Sequence, residues 1–105
     1  MANSFGTDIL IQVEDIEEAA SFYVDQLGFA ITDRAPRMVS LHGSNINLFI
    51  ETGPALGPVL EVTVESVEAA KLRLVSNGGE IIKDEPSHPR CYIKDRFGLI
   101  YNLTA

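Results

Sequence analysis

The feature that most constrains this chain is a repeat within its own sequence. When the sequence is shifted by 51 positions, eight residues of the first half fall on an identical or similar residue of the second half, in order and without gaps. The matched residues are Val13, Glu14, Ile16, Glu17, Ala19, Gly28, Ile31 and Asp33, with Val64, Glu65, Val67, Glu68, Ala70, Gly79, Ile82 and Asp84 as partners. Self-similarity at a fixed spacing is typical of a repeated structural unit. We therefore expect one domain, residues 1–105, made of two modules at about 1–53 and 58–105.

Each module opens with a predicted strand that leads into a predicted helix. The strands are DILIQV and VLEVTV, in which β-branched residues dominate and apolar side chains alternate with others. Asp15, followed by Glu18, has the spacing of a capping box, and Ser66 takes the N-cap position of the second helix. Gly28 and Gly79 are placed to adopt the left-handed conformation that commonly ends a helix.

Three short strands are predicted after each helix: AITDR, RMVSLHG and INLFIET in the first module, then EIIKDE, RCYIKD and LIYNLTA in the second. The order strand, helix and three strands, written twice, predicts an α+β fold of two tandem βαβββ modules. We expect a cupped, mixed and mostly antiparallel sheet with the helices on its outer face. The pair Phe22 and Tyr23 lies on the apolar stripe of the first helix and is expected in the core.

Strand alternation also predicts which residues lie on the far face of each sheet, the face that the helix does not cover. That face mixes apolar, amide and carboxylate groups, which is typical of a small-molecule pocket. The residues expected to bind a ligand there are Asp8, Leu10, Gln12, Asn47, Phe49, Glu61, Arg90, Tyr92 and Asn102. No catalytic residue is assigned from the sequence.

Two stretches carry a resemblance to a known family. VEDIEEAASFYVDQLGF contains an FY pair and an LGF ending, and IKDRFGLIYNL contains a D-x-F-G turn with Arg96 at x. They resemble the first helix and the closing D-P-F-G hairpin of the vicinal oxygen chelate superfamily, which includes glyoxalase I, bleomycin-resistance proteins and extradiol dioxygenases. The resemblance covers essentially the whole chain and implies the tandem βαβββ fold.

Enzymes of this superfamily resemble one another in a four-ligand metal site, with ligands on the first and last strand of each module. Carried over position by position, the resemblance places those ligands at Asp8, Asn47, Val59 and Asn102. Valine cannot bind a metal, and neutral amides are weak ligands compared with carboxylate or imidazole. We therefore expect no metal and no cofactor, as in a metal-free, bleomycin-resistance-like branch. A displaced carboxylate site that uses Glu51 and Glu61 stays open as an alternative.

Charge and cysteine content exclude several classes of partner. Fifteen acidic against eight basic residues give a net charge of −7, which repels nucleic acid. The chain has no long apolar segment and no signal-peptide pattern at its N-terminus, so we expect a cytoplasmic protein that does not bind membranes. The single cysteine, Cys91, is expected to be a buried thiol. Both histidines, His42 and His88, are interpreted as solvated loop residues.

The sequence is therefore compatible with two functions. The first is metal-independent binding of a cationic or aromatic compound, of the kind that confers antibiotic resistance by sequestration. The second is a lyase, isomerase or dioxygenase-related enzyme with a displaced or absent metal site. The absence of a convincing acid, base or metal cluster favours the first. We also expect a homodimer, because a chain of this size leaves strand edges and helix surface to cover.

Overall fold

The computed structural model describes residues 3–85 and 90–105, which form eight strands and two helices. These elements are β1 (Ser4–Val13), α1 (Ile16–Leu27), β2 (Ala30–Ala35), β3 (Met38–Gly43), β4 (Ile46–Thr52), β5 (Leu56–Thr63), α2 (Val67–Ser76), β6 (Glu80–Glu85), β7 (Arg90–Lys94) and β8 (Ile100–Thr104). The predicted α+β class is confirmed. Neither described helix has the length and apolar character needed to cross a membrane.

The chain divides into two compact units. The first unit is Thr7–Pro58, and the second combines Val59–Ala105 with the described residues up to Gly6. In the first unit the strand order is β2-β3-β4-β1, with β1 parallel to β4 and the other pairs antiparallel. In the second unit the order is β5-β8-β7-β6, with β5 parallel to β8 and the other pairs antiparallel.

Each unit has its own apolar core between the helix and one face of its sheet. In the first unit Ala20 of α1 is buried together with Val39, Leu41, Leu48 and Ile50 of β3 and β4. In the second, Ala70 of α2 is buried with residues from β5, β7 and β8, namely Val62, Cys91, Ile93, Tyr101 and Leu103, and with Val64. Because strand side chains alternate, the intervening residues point to the far face in both units.

The helix starts agree with the sequence, and one helix end does not. Asp15 and Ser66 accept hydrogen bonds from the backbone N–H groups of Glu18 and Ala69, as expected for N-caps. Gly28 is left-handed with φ of 76°, but the left-handed residue after α2 is Gly78 rather than Gly79. Gly79 is required for another reason: a Cβ there would lie 2.8 Å from the carbonyl oxygen of Leu74.

The prediction that Phe22 belongs to the core is wrong, whereas its neighbour Tyr23 does pack there. Phe22 is 56% exposed, because α1 covers the sheet with only one side and Phe22 lies beyond the buried stripe. Tyr23 packs against the first unit's core and meets Phe29 edge to face, with ring centroids 6.1 Å apart. Leu27 at the end of α1 is likewise 63% exposed. The helix therefore presents apolar side chains to solvent as well as to the core.

Candidate functional site

The far face of the Thr7–Pro58 unit includes three rows of side chains that run across β1, β4 and β3. Residues in register on neighbouring strands point to the same face, so each row contains one residue from each strand. The first row is Asp8, Asn47 and His42; the second is Leu10, Phe49 and Ser40; the third is Gln12, Glu51 and Met38. An apolar middle row is thus flanked by two polar rows, each of which holds one carboxylate.

The first row is connected by hydrogen bonds from end to end. Asn47 donates from Nδ2 to Oδ1 of Asp8 over 2.9 Å, and Nδ1 of His42 lies 2.8 Å from Oδ1 of Asn47. Asp8 and Asn47 are half-buried, while His42 is exposed at the end of the row. The register brings these three residues together although β1 and β4 are far apart in sequence.

The third row repeats the pairing of an amide with a carboxylate. Gln12 donates from Nε2 to Oε1 of Glu51 over 2.9 Å, and only 9% of Gln12 is exposed. A Cβ on Gly53 would lie 3.0 Å from Oε1 of Gln12, so the loop after β4 packs closely against this amide. Burial and pairing together fix Gln12 in one position, where it orients the Glu51 carboxylate.

The far face of the second unit contains the other predicted ligand residues. Glu61, Asn102 and Tyr92 lie in register across β5, β8 and β7. Oδ1 of Asn102 accepts a hydrogen bond of 2.9 Å from the backbone N–H of Cys91. Tyr92 is only 2% exposed, and Nζ of Lys83 lies 5.8 Å from its ring centroid. Its ring therefore contributes to packing beside a cation, whereas Glu61 is half-buried.

Arg90, the last of the predicted ligand residues, is half-buried at the first position of β7. It shares this unit with Glu61, Tyr92 and Asn102, whereas Asp8, Leu10, Gln12, Asn47 and Phe49 belong to the first unit. The core thiol behaves as expected: Cys91 is buried, and this burial raises the pKa of the thiol.

The four positions at which the resemblance implies metal ligands do not form a metal-binding set. Asp8 supplies the one carboxylate, and Asn47 already donates to it. The Asn102 amide oxygen is engaged by a backbone N–H, and Val59 is a buried hydrocarbon. Among residues 3–85 and 90–105, no three His, Cys, Asp or Glu side chains are grouped to hold a metal ion. The residues present do not fit the metal site of the family's enzymes.

His42 is a residue of the far face that was not predicted from the sequence. The sequence predicts a solvated loop residue, whereas His42 lies within β3 and is bonded to Asn47. The signal was present in RMVSLHG, because alternation with the buried Val39 and Leu41 places His42 on the far face. The other histidine, His88, lies outside the described residues.

A separate concavity, lined by none of the predicted ligand residues, lies at the start of α1. It has a volume of about 480 Å³ and is lined by Val13, Glu14, Asp15, Glu18, Ala19, Phe22 and Tyr23. Asp15 is engaged in capping the helix, and the neighbouring glutamates favour the positive end of the helix dipole. These carboxylates have a structural role at the helix start.

Comparison with solved structures shows the same fold in several proteins of low sequence identity. A hypothetical protein from Bacillus halodurans C-125 superposes with a TM-score of 0.64 at 18% identity, covering 99% of this chain and 94% of that one. A glyoxalase/bleomycin resistance protein/dioxygenase superfamily member from Vibrio splendidus 12B01 gives 0.63 at 18% identity, over 95% and 97% of the two chains.

A larger enzyme contains the same fold as part of its length. Homoprotocatechuate 2,3-dioxygenase from Brevibacterium fuscum, in complex with 3,4-dihydroxyphenylacetate, gives a TM-score of 0.61 at 20% identity. The match covers 98% of this chain but 37% of the dioxygenase. Identities this low establish a shared fold and no shared activity. No curated protein matches the sequence.

The family model for the Glyoxalase/Bleomycin resistance protein/Dioxygenase superfamily matches residues 7–100. This range includes both helices and all of the first unit's three rows. The chain therefore belongs to the glyoxalase/bleomycin resistance protein/dioxygenase superfamily.

Proposed function

We propose that this protein is a metal-independent binder of small aromatic or apolar cations, of the sequestering, bleomycin-resistance type. In this proposal the two units are copies of one βαβββ module, with the helix of each unit on the face away from the ligand. The observation that carries the proposal is the far face of the Thr7–Pro58 unit. Its middle row supplies Leu10 and Phe49 as an apolar floor, and the rows on either side supply the carboxylates of Asp8 and Glu51.

The electrostatics of this face favour a cation over an anion. Its three rows contain two carboxylates and no lysine or arginine. Half-buried carboxylates attract a cation more strongly than fully solvated ones do, because less water screens the charge. The net charge of −7 further raises the local concentration of cations. An aromatic cation would also gain from contact with the Phe49 ring.

The two amide–carboxylate pairs prepare this face for binding. Asn47 and Gln12 each donate a hydrogen bond to one carboxylate, which fixes the orientation of the Asp8 and Glu51 carboxylates. A preorganised acceptor loses less conformational entropy on binding than a flexible one. In this proposal Asn47 donates a hydrogen bond to the Asp8 carboxylate instead of serving as a metal ligand.

Isosteric removal of one charge tests the proposal. Asp8→Asn keeps an oxygen that accepts the Asn47 hydrogen bond but removes the negative charge. Asp25→Asn removes an equal charge from the exposed surface of α1 and is the matched control. An ion pair at about 4 Å is worth between about 1 and 4 kcal/mol, depending on screening. We therefore expect Asp8→Asn to weaken binding of an aromatic ammonium about tenfold, a change of about 1.4 kcal/mol.

Calorimetric titration of phenethylammonium and of the anion phenylacetate onto wild type, Asp8→Asn and Asp25→Asn measures this difference. Tighter binding of phenylacetate, or equal effects of the two substitutions, would overturn the cationic assignment. Elemental analysis of protein purified without chelators tests the other half of the proposal. About one nickel, zinc, iron or manganese ion per chain would contradict metal independence.

One observation favours an enzyme as the second candidate. His42 is an exposed imidazole bonded to Asn47, which in turn donates a hydrogen bond to the Asp8 carboxylate. Imidazole is the commonest general base in enzymes. A lyase, isomerase or dioxygenase-related activity would then proceed with a displaced metal or without one. Turnover of a bound compound, abolished by His42→Phe, would favour this alternative over sequestration.

We also propose that the protein is a cytoplasmic homodimer that binds neither nucleic acid nor membranes. Large apolar side chains are exposed on both helices, including Phe22 at 56%, Leu27 at 63% and Leu72 at 65%. Pairing with a second copy would remove such surface from water. Light scattering should give twice the chain mass for wild type and a lower mass for Phe22→Ser. A monomer mass for wild type at micromolar concentration would contradict the dimer.

A further inference from the structure

We propose that His42 is a hydrogen-bond acceptor for the ligand, held with its Nε2 lone pair available by the Asn47 amide. This inference rests on the proposed function and deepens it, since it names the polar group that the ligand must carry. The ligand class becomes an aromatic or apolar cation with N–H or O–H donors, as in a primary ammonium, rather than a quaternary ammonium.

The direction of each hydrogen bond in the first row follows from the Asp8 carboxylate. An ionised carboxylate can only accept, so the group of Asn47 that lies 2.9 Å from Oδ1 of Asp8 must be its NH₂. The amide oxygen of Asn47 then faces His42, whose Nδ1 lies 2.8 Å away. An amide oxygen can only accept, so Nδ1 of His42 carries the hydrogen.

The tautomer of the imidazole follows from that hydrogen. A neutral imidazole has one N–H and one lone pair, so a proton on Nδ1 leaves Nε2 as an acceptor. Imidazole in water carries its proton mainly on Nε2, so the row selects the less common form. His42 is exposed, and it stands next to Ser40 of the apolar row on the same face of β3. The His42 side chain is therefore exposed to solvent at the edge of the proposed ligand surface, with Nδ1 engaged by Asn47.

The backbone around His42 is held in place from the other face of the sheet. Gly43 points toward the helix side, where a Cβ would lie 2.7 Å from the Phe29 ring. Phe29 in turn packs against Tyr23 of α1. The Phe29 ring packs against Gly43 and so holds the end of β3 in place. The position of His42 therefore does not depend on a mobile loop. Asn47 is a positioning residue for this imidazole.

Long-range ¹H–¹⁵N correlation NMR of labelled protein, at a pH well above histidine titration, reads the tautomer without any ligand. The chain has two histidines, so His42→Phe assigns the signals. We expect His42 to be protonated on Nδ1 in wild type and to shift toward Nε2 protonation in Asn47→Ala. Gln12→Ala removes an equivalent amide–carboxylate bond in the third row and should leave the His42 signals unchanged. An Nε2-protonated His42 in wild type would overturn the inference.

A pair of probes of equal charge tests the acceptor role. Phenethylammonium has three N–H donors, whereas its N,N,N-trimethyl analogue has none. We expect wild type to bind the ammonium about threefold to tenfold more tightly than the analogue, as for one hydrogen bond to a neutral acceptor. His42→Phe should reduce that preference, since the Asp8 carboxylate also accepts hydrogen bonds from an ammonium, and an undiminished preference in His42→Phe would overturn the acceptor role. Equal binding of both probes to wild type would overturn the acceptor role and leave the proposed function intact. Binding of neither probe would overturn both.

Discussion

Replacing Gly43 by alanine tests the packing that fixes the end of β3. The new Cβ would lie 2.7 Å and 2.8 Å from two carbons of the Phe29 ring. Non-bonded carbons normally approach to about 3.5–4.0 Å, so the ring has to move by about 1 Å. Such overpacking costs about 1–3 kcal/mol. The lower entropy of the unfolded alanine chain offsets about 0.4–1 kcal/mol of this.

The net expectation is a loss of about 1–2 kcal/mol in the free energy of unfolding, which lowers Tm by about 5–10 °C for a domain of this size. Thermal and urea unfolding measure it. Gly6→Ala is the matched control, because Gly6 is also a strand glycine without positive φ and its Cβ would come no closer than 3.4 Å to Glu61. It should change stability by less than about 0.5 kcal/mol.

A double-mutant cycle separates the clash from other effects of the added methyl group. In a Phe29→Ala background the ring is absent, so Gly43→Ala should no longer destabilise the protein. A Gly43→Ala protein as stable as wild type would refute the packing of Phe29 on Gly43. If Gly43→Ala lowers the free energy of unfolding equally in the Phe29→Ala background, the added methyl group does not act through the Phe29 ring.

Two further predictions concern charged and titrating groups of the second unit. Lys71→Met should lower Tm, because Nζ of Lys71 lies 2.8 Å from both Glu68 and Asp84 and connects α2 to β6. The difference in Tm from wild type should become smaller at high salt, because salt screens ion pairs. A difference in Tm that does not depend on salt would contradict an ionic origin. Burial raises the pKa of Tyr101 above its ordinary value of 10.0, so its stabilising contribution is complete below that value and is lost as pH rises through the folded-state pKa. Thermal unfolding should therefore show a decline in stability above about pH 10 that is shallower in Tyr101→Phe. The same decline with pH in both proteins would contradict a contribution from Tyr101.

The strands and helix starts were predictable because they depend on short-range patterns. The segments INLFIET and EIIKDE coincide with Ile46–Thr52 and Glu80–Glu85. Alternation of apolar and polar residues is a property of each strand alone, and an N-cap needs only Asp15 and the next turn of the helix. The end of α2 was misplaced by one residue, since two glycines follow Asn77 and only packing decides which is left-handed.

The hydrogen-bonded first row was not predictable, because it depends on strand register. Asp8 and Asn47 meet only because β1 pairs in parallel with β4, and His42 joins them through the β3–β4 hairpin. The alternation of side chains along each strand places all three on one face but does not determine which of them are neighbours. Phe22 was misassigned for a related reason: a helical stripe shows which side of α1 is apolar, not how much of that side the sheet covers.

Register also decides whether a misalignment of the ligand positions conceals a metal site. Asp8 and Val59 are equivalent in the internal repeat, but Asn47 is in register with Asp8, whereas Asn102 is in register with Glu61. The counterpart of Asn47 in the second unit is therefore Ile100, and the counterpart of Asn102 in the first unit is Phe49. If Asp8 and Asn47 define the ligand positions, the second unit offers Val59 and Ile100. If Val59 and Asn102 define them, the first unit offers Asp8 and Phe49. Each choice leaves two hydrocarbon side chains among four positions, and neither choice supplies the donors that a divalent ion requires.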